Sequence, residues 1–124
     1  MGPAEYLSEY WGNLFEQWVG LTILKYIKIN GIKAGLYYWR DYNGREVDWV
    51  VEYQGRWLPI EVKWTEMVKN TATKHIEYFL DNFSTKASNG CIIFTGSNPT
   101  RITDRITAFP YFDLVQKVLM PFLA

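Results

Sequence analysis

Metal-binding and redox side chains are scarce: the 124 residues include one cysteine, Cys91, and one histidine, His75. A single cysteine closes no internal disulfide, which suits a reducing cytosol. Its setting, Cys91-Ile92-Ile93-Phe94, reads as a buried structural thiol and not a nucleophile. One histidine cannot build a histidine-based zinc centre; beside Lys74, in the first turn of an expected helix, His75 reads as a surface residue. No Walker A pattern, glycine-rich dinucleotide loop, cysteine pair or repeat is present, so the chain is not itself a P-loop ATPase. Net charge is missing too, with 13 basic side chains against 13 acidic. No overall field pulls the chain onto nucleic acid, which leaves room only for a local patch. The longest apolar stretch, Trp18 to Ile29, is broken by Lys25 and Lys28 and is too short to span a bilayer. The start lacks the basic segment and pure apolar run of a signal peptide. A cytoplasmic chain with no membrane segment is the expectation.

Apolar residues make up 48% of the chain and aromatics 18%, which argues for one folded, aromatic-rich domain over residues 1–124. Its centre is Glu46 to Lys63. Val47, Trp49, Val51 and Tyr53 alternate with Asp48, Val50 and Glu52, and Leu58, Ile60 and Val62 alternate with Pro59, Glu61 and Lys63. This is strand periodicity on both sides of a tight turn at Gln54-Gly55.

With Gln54 and Gly55 as the loop, Asp48 falls opposite Glu61 and Glu46 opposite Lys63. Opposed residues hold their Cβ atoms roughly 4.5–5.5 Å apart. Two carboxylates that close repel unless a proton or cation lies between them, and Mg²⁺ takes carboxylate oxygens. Lys63 lies on the same face as Glu61. A solvated charged strand face explains the alternation without chemistry, but it gives no reason to oppose like charges, which is destabilising.

Around this hairpin, an extended lead-in over Met1 to Ala4 precedes a helix that starts near Glu5 and ends near Gly31, a natural stop. Leu7, Trp11, Leu14, Trp18 and Leu21 share helical spacing, and Ile23, Leu24 and Ile27 widen the apolar surface, so burial on more than one side is expected. Glu16 lies off that stripe, either facing solvent or serving a site. Lys33 to Asp41 reads as the first strand, and Tyr42-Asn43-Gly44 as a turn. Thr71 or Thr73 caps a helix running to about Phe83, with Ile76, Phe79, Leu80 and Phe83 on one face. Gly90 to Phe94 is a buried strand, and Arg101 to Ala108 a shorter, edge-like one. A last helix, Tyr111 to Leu119, turns Phe112, Val115, Val118 and Leu119 inward and stops at Pro121.

Asp48, followed after a hairpin by Glu61-Val62-Lys63, resembles the core of the PD-(D/E)xK nuclease superfamily. Gly12 to Val19, then Leu36 to Asp41 with Gly44 to Asp48, then Pro59 to Lys63 are similar to the C-terminal domain of archaeal and bacterial AAA-type ATPases of unknown function. The resemblance spans about Tyr10 to Phe112, with Val47 where proline commonly precedes the aspartate. It implies a restriction-endonuclease-like α/β fold. The order would be α-β-β-β-α-β-β-α, a mixed sheet of four or five strands with the first helix on one face and the second on the other.

The resemblance further implies Mg²⁺- or Mn²⁺-dependent hydrolysis of nucleic acid, DNA before RNA. Asp48, Glu61, the Val62 carbonyl and Glu16 would hold the ion, Lys63 would serve the attacking water, and Lys74 would touch the phosphate backbone. The chain would be a detached domain of such an ATPase or a free-standing relative. Two further readings stand beside the enzyme. One is a recognition module of a P-loop ATPase, suggested by six tryptophans and nine tyrosines. The other is a homodimer joined through the apolar last helix.

Overall fold

A computed structural model describes residues 2–124. Met1 of the expected lead-in lies outside them; Gly2 is extended, as expected, but Pro3 and Ala4 already belong to the helix. Helix α1 spans Pro3–Ile29, opened by proline at a position where its missing N–H costs nothing. The Glu5 carboxylate accepts the Gly2 N–H at 3.0 Å. Gly31, at φ 62°, ends the helix where the sequence places its stop.

Six strands follow: β1 Ala34–Arg40, β2 Glu46–Tyr53, β3 Arg56–Val62, β4 Gly90–Phe94, β5 Thr100–Arg101 and β6 Ile106–Pro110. They form one mixed sheet in the order β1-β2-β3-β4-β6-β5. β1, β2 and β3 are antiparallel neighbours, while β3–β4 and β4–β6 are parallel. The architecture is therefore the mixed α/β sheet expected, with one strand more than the four or five foreseen. The extra strand arises because Arg101 to Ala108 is not continuous. β5 turns back on β6 through residues 102–105, and the N–H groups of Ile102 and Thr103 both donate to the Ile106 carbonyl. β6 is then an inner strand, bonded on both edges.

Helix α2, Lys74–Asn82, continues from a 3-10 turn over Asn70–Thr73. Thr73 does not cap it: its hydroxyl donates back to the Asn70 carbonyl at 3.0 Å. α2 packs Ile76, Phe79 and Leu80 against Val50, Ile92 and Ala108 on one face of the sheet. α1 and the C-terminal segment pack on the other, against Val51, Ile60 and Ile93.

Helical spacing alone misassigns α1. The buried stripe is Phe15, Val19, Ile23 and Ile27, whereas Leu7, Trp11, Leu14, Trp18 and Leu21 are exposed, so only one side of the helix is covered. The helix is apolar around most of its circumference, and spacing cannot choose between two such stripes. Fit chooses: Gly20 lies on the covered side, and any side chain there would collide with the Trp49 ring.

The C-terminal segment also departs from a regular helix. A 3-10 turn over Tyr111–Asp113 leads into a π-helical stretch, Leu114–Leu119, and a final turn α3, Met120–Phe122. The wider π turn places Leu114 and Leu119, five apart, in the core and leaves Phe112 59% exposed, against the expectation that it faces inward. Pro121 falls within the last helical turn rather than ending the helix before it. Leu114, Val118 and Leu119 are buried inside the chain, while Tyr111, Phe112 and Met120 are exposed.

Cys91 is buried in β4, where burial pushes its thiol up to about 12, as a structural thiol requires. Among the described residues no helix is long and apolar enough to cross a membrane.

Candidate functional site

The site begins with the turn of the β2–β3 hairpin. Gln54 (φ 53°) and Gly55 (φ 77°) both take positive φ, the geometry of a two-residue hairpin loop whose twist matches the strands. Tyr53 thus pairs with Arg56, and the ladder continues to Trp49 opposite Ile60. One step further the ladder opens and side chains take its place. The Asp48 N–H donates to Glu61 Oε1 at 3.0 Å, and the Val62 N–H donates to Asp48 Oδ2 at 2.8 Å. Asp48 and Glu61 meet across the two strands, as the turn length requires. The further pairing expected, Glu46 with Lys63, lies beyond the end of the ladder; Glu46 instead pairs with Arg40 at 3.2 Å.

A bulge explains the opening. Tyr37 pairs with Val50 but Trp39 with Val47, so Tyr38 alone spans Asp48 and Trp49. The extra residue in β2 breaks its alternation: Val47 packs with Val50 on the α2 side, while Trp49 and Val51 pack on the α1 side. The sequence pattern had put Val47 on the same face as Trp49. Bulges re-aim side chains and recur next to active sites, and here the re-aimed residue is Asp48.

Trp49 positions the third acid. Its indole N–H donates to the Glu16 carbonyl at 3.0 Å, and its ring lies against Gly20. The helix is thereby held with Glu16 half-buried over the opened ladder, not facing free solvent. Glu16 and Asp48 line a cavity of about 360 Å³ together with Asn13, Tyr38, Arg40 and Glu46. Glu61 lies behind Asp48, its side chain 7% exposed, with Lys63 Nζ 3.7 Å from its Oε2. Lys63 itself opens onto a neighbouring cavity shared with Thr65, Lys69 and Thr71.

The electrostatics follow from this crowding. Burial, then the Asp48 carboxylate, pushes Glu61 up to about 8, and Lys63 only partly offsets this. Burial and Asp48 likewise raise Glu16 to about 7. Asp48 is also raised, chiefly by burial, against the pull of the Val62 N–H and Lys63. Three acids are therefore each driven towards the protonated form, and a bound cation would relieve the same strain.

Among the described residues no three acidic, histidine or cysteine side chains converge as a ready-made metal centre. Asp48 and Glu61 each commit one oxygen to a backbone N–H, and the other Glu61 oxygen faces the Lys63 ammonium. The donor set of oxygens and its surplus of negative charge suit a hard divalent ion. Val62 meets the pair through its N–H.

Lys74 stands exposed at the start of α2 and outside the lining of the Glu16–Asp48 cavity. His75, expected at the surface, is half-buried. Its Nδ1 lies 3.0 Å from the Glu46 carbonyl oxygen and 3.3 Å from the Glu46 nitrogen, tying α2 to the first residue of β2. Arg40, Tyr38 and Asn13 went unnoticed in sequence reasoning. The one available signal was that Asn13 and Glu16 share a helix face at i, i+3.

No curated protein matches the chain. The model of one family, described as Domain of unknown function (DUF4143), matches residues 11–114. That span contains every residue of the Glu16–Asp48–Glu61–Lys63 constellation and all six strands of the sheet, and the chain belongs to the DUF4143 family.

Proposed function

We propose that this chain is a PD-(D/E)xK-type hydrolase of nucleic acid phosphodiesters, with DNA as the expected substrate, working in the cytoplasm. One observation supports this above the others: Asp48 and Glu61 meet across the opened end of a hairpin, with Lys63 3.7 Å from Glu61 and Glu16 arriving from α1. Asp48, Glu61 and Glu16, with the Val62 carbonyl, would hold Mg²⁺ or Mn²⁺. Such an ion, when bound, polarises a phosphoryl oxygen and lowers the pKa of bound water.

The rest of the work falls to the chain. Lys63 presents a compact cation to the attacking water and to charge developing on the phosphate. Arg40, already over the cavity, offers a planar fork for a phosphate oxygen once it leaves Glu46. Trp49 fixes α1 and therefore the reach of Glu16. Lys74, from its exposed place, would contact the backbone of a long substrate.

Alanine at Asp48, Glu61 or Lys63 should lower Mg²⁺- or Mn²⁺-stimulated cleavage of a labelled oligonucleotide by roughly 10²-fold or more while leaving the fold intact. Cleavage undiminished in all three variants removes the proposal.

A second reading has its own observation. Trp11, Trp18, Tyr111 and Phe112 are all exposed, as in a surface that meets another protein. On that reading the domain is a catalytically weak recognition arm of a P-loop ATPase. Co-sedimentation with a purified P-loop ATPase, together with silence in nuclease assays, would favour it.

A further inference from the structure

We propose that the cavity between α2 and the β1–β3 end of the sheet binds an alkylated ammonium group, a fixed cation wrapped in methyl groups. The cavity, of about 340 Å³, is lined by Tyr37 and Trp39 from β1, Val50 and Glu52 from β2, Trp57 from β3 and Phe79 from α2, with Tyr38 beside them.

Strand pairing assembles it. Val50 lies opposite Tyr37, and Glu52 lies between Gly35 and Trp57. Past the bulge β2 alternates regularly: Val51 and Tyr53 pack towards α1, so Val50 and Glu52 share the α2 side. Gly35 leaves a gap on that side, and the Tyr37 ring lies over it, where a Cβ would come 2.6 Å from the ring. Phe79 closes the inner end, meeting Trp39 at 5.5 Å and Trp57 at 6.1 Å.

The chemistry of the walls selects the occupant. Aromatic faces carry partial negative charge, and cages of Trp, Tyr and Phe hold quaternary ammonium groups by that charge. Glu52 adds a full one. Its Oε2 accepts the Gly55 N–H at 3.0 Å, which anchors the carboxylate, and among the described residues no lysine or arginine pairs with it. No basic side chain lines the cavity. The bordering rings already serve as cation platforms from outside it: Lys86 Nζ lies 5.3 Å from the Trp57 ring, and the Arg40 guanidinium 5.5 Å from that of Tyr38. A neutral apolar occupant would strip water from Glu52 and offer no charge in return. A bare ammonium is itself strongly hydrated. An alkylated ammonium brings the charge together with an apolar surface. The cavity lies across the sheet from α1 and Glu16, so this inference does not rest on the nuclease reading.

Choline is the probe. In a proton–nitrogen correlation spectrum of the whole chain it should shift the indole signals of Trp39 and Trp57 saturably, with a Kd on the order of millimolar, and leave those of Trp11, Trp18 and Trp64 in place. Trp39→Phe and Trp57→Phe assign the two signals. The uncharged isostere of choline, with carbon in place of nitrogen, should bind about tenfold more weakly or worse. Glu52→Gln, which keeps an acceptor for the Gly55 N–H, should weaken choline about tenfold and narrow the gap between the two probes. Tyr37→Ala, at an exposed residue, should weaken choline as well. A short peptide bearing trimethyllysine separates the sources: tighter binding than choline assigns the site to a side chain of a protein partner, equal or weaker binding to a free small molecule. Equal binding of choline and its isostere by the parent overturns the proposal. So do shifts confined to the other tryptophans, or none at roughly 100 mM choline.

Discussion

The two ends of the β2–β3 hairpin are built differently. At the turn, Tyr53 to Arg56 follows local rules: two residues at positive φ, a closed ladder and regular pairing. At the far end a bulge at Asp48 and Trp49 follows directly on the Tyr37–Val50 pair with β1, the β2–β3 ladder opens, and carboxylates accept the N–H groups that strand pairing would have used. The turn end holds the register. The open end spends that precision on holding Asp48 between two further acids, Glu61 and Glu16, each of which it repels. A sheet serving stability alone would gain from closing this gap; leaving it open is what makes the far end the candidate for chemistry.

The largest effect expected from disturbing this contrast is on activity. Lys63→Ala should lower the rate of metal-stimulated cleavage by roughly 10²-fold or more, in the range of losing one aimed electrostatic group, with little change in melting temperature. Parent-like rates would mean that the open end does no chemistry.

Next comes stability against pH. Glu61 has a folded value of about 8 against an ordinary 4.5. Between those values the folded chain holds a proton that the unfolded chain has lost, so this group's contribution to stability falls as pH rises through that window. Glu61→Gln keeps the oxygen that accepts the Asp48 N–H and removes the charge. Its melting temperature should exceed the parent's by on the order of 5 °C at pH 8.5, and the gap should close near pH 4. A gap that is constant with pH would place the effect in packing instead.

The turn end should respond more mildly and in the opposite sense. Gly55→Ala puts a Cβ on a residue at φ 77° and should cost about 1 kcal/mol, read by urea denaturation. Gln54→Gly should be neutral or slightly stabilising, because it relieves positive φ at a non-glycine residue. Neither should alter cleavage once the chain is folded.

What the sequence could convey follows the same divide. The register, and with it the meeting of Asp48 and Glu61, was legible because strand period is rigid and a two-residue turn leaves no slack. The bulge was not legible, since it depends on pairing with β1, a segment distant along the chain; this is why Val47 ended on the other face. The outward stripe of α1 and the outward Phe112 escaped for a related reason. A helix apolar around most of its circumference gives spacing no way to tell which side the sheet will take, and a π turn shifts the phase that helical spacing assumes. The β5–β6 hairpin was hidden inside an alternation that reads equally well as one strand. Glu16 was placed by resemblance, whereas its actual positioning device, Trp49 against Gly20, becomes visible only when helix and strand are set side by side.

The central claim is that the opened ladder holds acids which share protons until a divalent ion takes their place. Calorimetric titration of Mn²⁺ at pH 7 in two buffers of different ionisation enthalpy measures this directly. Saturable binding with release of roughly one proton per ion is predicted, and both should be lost in Asp48→Asn. Binding without proton release, or no binding at all in the folded chain, would contradict it.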